Sequence, residues 1–196
     1  MSDLMRKLGR TLWEMGRAEA VGLSVLSLVR ADETLSRDER RFIEVRMMPE
    51  ERRHAEMTRG WAARWASAPR LPGDAFGAML TKDAMTAAAM TGRNRLAWVL
   101  AVTVWNEANT VRAYGGWVEI FARLSPDMGR DFQQVLQEER GHVAWGRALL
   151  ARLEREDRPM FTRVSAASQL VRRIYPTVVH GAHAAFYQRI RAAVGL

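Results

Sequence analysis

Two five-residue clusters constrain this chain more than anything else in it. Glu50-Glu51-Arg52-Arg53-His54 and Glu138-Glu139-Arg140-Gly141-His142 each set a Glu three residues ahead of a His. Residues i and i+3 of an α-helix share a face, so each pair can aim a carboxylate and an imidazole at one metal ion. A single Glu-x-x-His arises easily by accident in a Glu-rich helix. Here each pair has a further carboxylate at the same remove: Glu19 precedes Glu51 by 32 residues, and Glu107 precedes Glu139 by 32. The set Glu19, Glu51, His54 therefore recurs as Glu107, Glu139, His142 at a constant offset of 88. Four carboxylates and two imidazoles make up the ligand set of a dinuclear carboxylate site inside a four-helix bundle.

The apolar pattern supplies the helices. Over residues 4–30, Leu8, Leu12, Met15, Glu19, Gly22, Leu26 and Val29 keep the three-and-four spacing of one helical face. Glu19 is the only charged member, and a carboxylate in an apolar stripe is costly unless it is paired or holds a metal. A third helix over about 93–123 repeats the arrangement, with Leu96, Leu100, Val104, Glu107, Val111, Tyr114, Val118 and Phe121 on one face. The second helix turns Met47, Glu51, His54, Thr58, Trp61 and Trp65 inward, and the fourth turns Met128, Phe132, Val135, Glu139, His142, Gly146, Leu149 and Leu153 inward.

The boundaries have their own signals. A turn falls at residues 30–34, and Ser36-Arg37-Asp38-Glu39 has the form of a capping box opening the second helix. Ser125-Pro126 supplies an N-cap and a first-turn proline for the fourth. Pro49 lies inside the second helix, where a missing N–H predicts a bend or bulge just before the Glu51/His54 pair. Residues 68–92 change in composition and predict a long crossover with a short helix of its own, as a bundle with parallel second and third helices requires. Beyond Arg158-Pro159 the chain reads as helical, broken near Pro176, and packed outside the bundle.

Counting from the turns tests the pattern. In an antiparallel pair, residues at equal height are equidistant from the connection. The midpoint of Glu19 and Glu51 is Leu35, beside Ser36, and that of Glu107 and Glu139 is Arg123, close to Ser125. A mismatch of one or two residues shifts a ligand by only about 3 Å. All six residues are thereby expected at one level.

Length and composition limit the rest. One domain, 1–196, is the expectation for 196 residues, with 48% hydrophobic and 27% charged residues. Cysteine is absent, which excludes disulfides, thiolate metal sites and thiol catalysis, and leaves Glu, Asp and His as ligands. Such ligands favour iron or manganese over structural zinc. No apolar run reaches membrane-spanning length and no signal peptide is evident, so a cytoplasmic location is expected. The net charge of +8 is mostly Arg spread among acids, which reads as solvated helix faces more than as a nucleic-acid surface.

On these residues, over about 5–155, the chain resembles the ferritin-like non-haem di-iron carboxylate superfamily. Glu50-Glu51-Arg52-Arg53-His54 fits the acid-Glu-x-Arg-His form common in its oxygenase branch, whereas Glu138-Glu139-Arg140-Gly141-His142 has Gly in place of the Arg. The resemblance implies an all-α, ferritin-like four-helix bundle with a C-terminal helical extension at about 158–196. It implies Glu19 and Glu107 as single-helix ligands, with Glu51, His54, Glu139 and His142 completing the set. It also implies two iron ions (manganese being the alternative), dioxygen as co-substrate, and an external electron donor such as a separate reductase or ferredoxin. The activity implied is oxidation of a small organic substrate by hydroxylation, N-oxygenation or oxidative cleavage.

Other members of that superfamily supply the rival expectations. A tRNA hydroxylase would use the basic surface. An iron-handling or peroxide-defence protein would share the bundle, although the paired Glu-x-x-His motifs argue against storage and the lack of Cys removes a rubredoxin-type centre. A homodimer is the oligomer considered. By the same resemblance Glu138 supports His54 and Glu50 supports His142, the alternative being that both acids face solvent. Tyr114, on the Glu107 face, either bonds a ligand, passes an electron or packs in the core. Thr58 either lines an oxygen pocket or bonds its own helix backbone. Gly22 and Gly146 leave room for substrate or for close helix packing. His180 and His183 lack a companion carboxylate and read as packing or surface residues.

Overall fold

The computed structural model describes residues 3–67 and 92–196 (backbone only at Asn106, Ala113 and 170–186), and every regular element among them is helical. The chain divides into two compact units, Met1–Arg95 and Leu96–Leu196. The region assigned to the crossover, 68–91, lies outside the described residues.

In the first unit, helix α1 (Asp3–Arg30) is followed by a turn and then by helix α2 (Arg37–Phe42). The turn is built from side chains. Buried Asp32 accepts from the Thr34 backbone N–H at 2.9 Å and the Thr34 hydroxyl at 2.7 Å. Arg40 donates back to the carbonyls of Arg30, at 2.7 Å, and Asp32, at 3.2 Å. The capping box forms as the sequence predicts: the Glu39 N–H donates to Ser36 Oγ at 3.2 Å, and the Ser36 N–H donates to the Glu39 carboxylate at 2.8 Å.

Between α2 and helix α3 (Met48–Ala62) the chain makes a π-helical turn over Ile43–Met47. Pro49 accounts for it. Its nitrogen cannot donate to the Val45 carbonyl, so the ladder is relieved by widening, and the Met48 N–H reaches Ile43 five residues back. The expected bulge thus lies one turn ahead of Glu51, and α3 restarts with Pro49 in its first turn.

The hairpin formed by α1 and α3 is antiparallel, because contacts advance along one helix as they recede along the other. Gly9 meets Ala66, Gly16 meets Ala55 and Arg59, and Gly22 meets Glu51. At Gly9 and Gly16 a Cβ would lie 2.8 Å from the Ala66 Cβ and 3.1 Å from the Ala55 carbonyl, so glycine sets the spacing. Trp13 adds a bond from its indole N–H to the Ala66 carbonyl at 3.1 Å.

The second unit is built the same way from helix α4 (Gly92–Leu124) and helix α5 (Pro126–Glu156), joined at Ser125. Ser125 is the N-cap, its hydroxyl accepting from the Met128 N–H at 3.5 Å, with Pro126 at the first helical position. Gly129 packs on Ala122, where a Cβ would come within 2.6 Å of the alanine Cβ, and Gly146 packs on Val104. The eight inward residues expected on the fourth helix are all buried.

Helix α6 (Arg158–Ala193) begins at Asp157, whose carboxylate accepts from the Met160 N–H at 3.0 Å. It runs through Pro176 without the expected break, so that expectation is corrected. An internal proline removes one hydrogen bond and strains one turn, and a helix of 36 residues with Met160, Val164, Ser168 and Ile190 buried along it continues past that loss. Among the described residues no helix is long and apolar enough to cross a membrane.

The glycines at the ligand level differ in kind. A Cβ on Gly146 would overlap Val104 Cγ2, whereas one on Gly22 would sit 3.8 Å from Glu51 Oε2, an ordinary contact. Val104 is β-branched and stiff in a helix, so it yields poorly. Gly146→Ala is expected to lose about 1–2 kcal/mol after the helix-propensity gain is counted. Gly22→Ala is expected to gain up to about 1 kcal/mol from propensity alone. Opposite shifts of the urea midpoints check this; equal shifts would contradict it.

Candidate metal centre

Each unit carries one copy of the repeated ligand pattern. In the first, α1 presents Glu19, and α3 presents Glu51 and His54 from successive positions of one face. One ligand atom from each of the three lies within 4.8 Å of the others. Glu51 and His54 are buried, and Glu19 is half-buried. The Glu51 carboxylate lies over Gly22, one turn beyond Glu19, where the missing side chain leaves it space.

In the second unit, α4 presents Glu107, and α5 presents Glu139 and His142. These three also offer ligand atoms within 4.8 Å of one another, and all three are buried, with Glu139 2% exposed and His142 fully enclosed. His142 Nδ1 stands 3.8 Å from Glu107 Oε1 and 3.8 Å from Glu139 Oε2. Those separations are long for direct hydrogen bonds.

They suit a metal ion. Carboxylate oxygen and imidazole nitrogen bind divalent ions at about 2.0–2.2 Å. Two such bonds meeting at less than a straight angle span a donor–donor distance of 3.8 Å, as found from His142 to each carboxylate. The donor set agrees with the distances, since the second triad brings two carboxylates and one imidazole out of water and the first brings one of each with half-buried Glu19 beside them. Burying one ion costs several kcal/mol unless it is compensated, and a dication compensates two carboxylates. The residues fit a hard or borderline ion bound by oxygen and nitrogen.

Around the triads the other sequence-selected residues fall as follows. Glu50 pairs with Arg46 one turn earlier on its own strand of helix at 3.4 Å, and Glu138 accepts from the Gln134 amide at 3.0 Å. Thr58 is buried and donates to the His54 carbonyl at 2.6 Å, the backbone-bonded alternative of the two considered. Tyr114 is buried edge-on against Phe132, with ring centroids 5.8 Å apart. His180 and His183 lie on α6 among the residues described by backbone only. Sequence reasoning did not single out Trp117 or Tyr187, which meet through tertiary packing and share no helical period.

No family model, no curated protein and no solved structure matches this chain.

Proposed function

We propose that Glu19, Glu51, His54, Glu107, Glu139 and His142 act together as the ligands of one dinuclear iron centre in a ferritin-like bundle. On this reading the protein is an oxygen-dependent oxidoreductase that hydroxylates, N-oxygenates or oxidatively cleaves a small organic substrate. The observation that supports it is the recurrence of one Glu, Glu, His triad in both helical hairpins, buried except for half-buried Glu19. The constant offset of 88 residues and the equal count from each turn argue that both triads serve one level of one bundle. Two ferrous ions bound there would supply the pair of electrons that dioxygen needs.

The chain's own residues do the positioning. The i, i+3 spacing holds each Glu and His on one rigid helical face, and burial of these two pairs keeps water from competing for their ligand atoms. His54 and His142 must be neutral to bind, and a carboxylate on the far ring nitrogen fixes the tautomer. Glu138 and Glu50 fill that role on this proposal, each steadied by its neighbour four residues earlier, Gln134 or Arg46. Turnover draws electrons from a separate reductase or ferredoxin.

Anaerobic titration with ferrous iron, followed by oxygen, tests the proposal. The expected result is about two ions per chain, magnetically coupled after oxidation, with an oxygen-dependent absorbance transient. Manganese binding without an oxygen reaction would move the assignment to that metal. Absence of stoichiometric metal would remove the centre.

A further inference from the structure

Four aromatic contacts in the second unit join the Glu107 face of α4 to the protein surface. Tyr114 lies two turns beyond Glu107, about 10 Å along the helix axis. Its ring meets Phe132 edge-on, and Phe132 meets Phe121 with centroids 4.2 Å apart. Phe121 stacks on Trp117 at 5.5 Å, and Trp117 meets Tyr187 of α6 edge-on at 5.2 Å. Tyr187 is half-buried, and its phenol oxygen accepts from Arg191 at 3.5 Å.

Gly116 makes the outer contact possible. A Cβ at that position would overlap the Tyr187 hydroxyl, so only glycine lets the phenol lie on α4 beside Trp117. Tyr and Trp are the two side chains whose rings give up one electron at accessible potentials, and Phe is not. Three oxidisable rings are therefore linked, from buried Tyr114 to half-buried Trp117 and Tyr187, with Phe132 packed on Tyr114 and Phe121 on Trp117.

We propose that Tyr114, Trp117 and Tyr187 form a one-electron path that drains an oxidising equivalent from the neighbourhood of Glu107 to the surface, where an external thiol quenches it. The path rests on the oxidative reading above. Electrons move inward, from Tyr187 to Trp117 and from Trp117 to Tyr114. Tyr187 releases its phenolic proton to solvent as it is oxidised and regains one when the thiol reduces it. The net change is one electron passing from the thiol to the oxidising group and one proton passing from the thiol to solvent, and two thiyl radicals then join as a disulfide. The path protects the interior when the oxidant forms with no substrate present.

The outer leg is testable without any metal. Pulse radiolysis of the full chain with azide radicals oxidises indole rings, and the decay of indole-radical absorbance is followed against the growth of tyrosyl absorbance. The expected growth is first-order and independent of protein concentration. Tyr187→Phe, which keeps the ring contact, is expected to remove most of it. Trp117→Phe and Gly116→Ala are each expected to slow it several-fold. Circular dichroism verifies that each variant is folded. Unchanged growth in Tyr187→Phe, or a rate that scales with protein concentration, would overturn the path. Because this assay holds no iron, its failure is separate from failure of the metal proposal, which would appear as absent iron binding beside an intact radical transfer.

Discussion

Glu139→Ala is expected to abolish tight iron binding, weakening it by at least about 100-fold, beyond the 10–100-fold typical of lost outer partners. Glu139 is buried on α5 beside His142, and its removal leaves the second triad with one carboxylate and one imidazole. Glu51→Ala does the same to the first triad. If the six residues serve one centre, either substitution alone is expected to weaken binding of both ions. Loss of only one ion from each variant would mean two independent mononuclear sites. Glu50→Gln and Glu138→Gln are expected to fall between these variants and the parent, with losses of about 10–100-fold. Equilibrium dialysis across the four variants measures the series, and an unaltered affinity in Glu139→Ala would sink the assignment.

A second large effect concerns stability, and its sign depends on the metal. In the metal-free chain, Glu139→Gln is expected to stabilise by about 1–3 kcal/mol. Carboxylate oxygens of Glu107 and Glu139 lie within 4.8 Å of one another out of water, so Glu139 adds a like charge beside a buried carboxylate. An amide of the same shape removes that charge without opening a cavity. With iron present at about a thousand times its dissociation constant, the parent gains about 4.1 kcal/mol that the variant lacks, and the order reverses. Thermal melts with and without iron show the crossing as shifts of several degrees in opposite directions. A variant less stable than the parent in both conditions would make Glu139 an ion-pair partner of His142 and not a metal ligand.

Much of the local structure was legible because it depends on neighbours in sequence. Ser36 and Glu39 carry their capping box within four residues, and Ser125-Pro126 starts α5 for the same local reason. Pro49 announced a defect, although whether it would bend or widen the helix was settled by the i→i−5 bond from Met48 to Ile43. Pro176 announced one too, and there the expectation of a break did not hold, because packing along α6 outweighs one missing hydrogen bond. The glycines were the least legible. Gly22 and Gly146 look alike in sequence, each one turn from a ligand, yet the first lies open beside Glu51 and the second is closed by Val104.

The sequence by itself determined which residues can share a helical face. That is a matter of 3.6 residues per turn, and so it identified Glu51 with His54, Glu139 with His142, and the lone Glu19 and Glu107 in their apolar stripes. Only the tertiary structure decided that Glu19 comes within 4.8 Å of its pair, and Glu107 of its own. It also decided that Tyr187 lies against Trp117. Those meetings depend on how closely two helices approach, which is set by side-chain volume across the interface, at Gly9, Gly16, Gly116, Gly129 and Gly146, and leaves no period in the chain that would announce it.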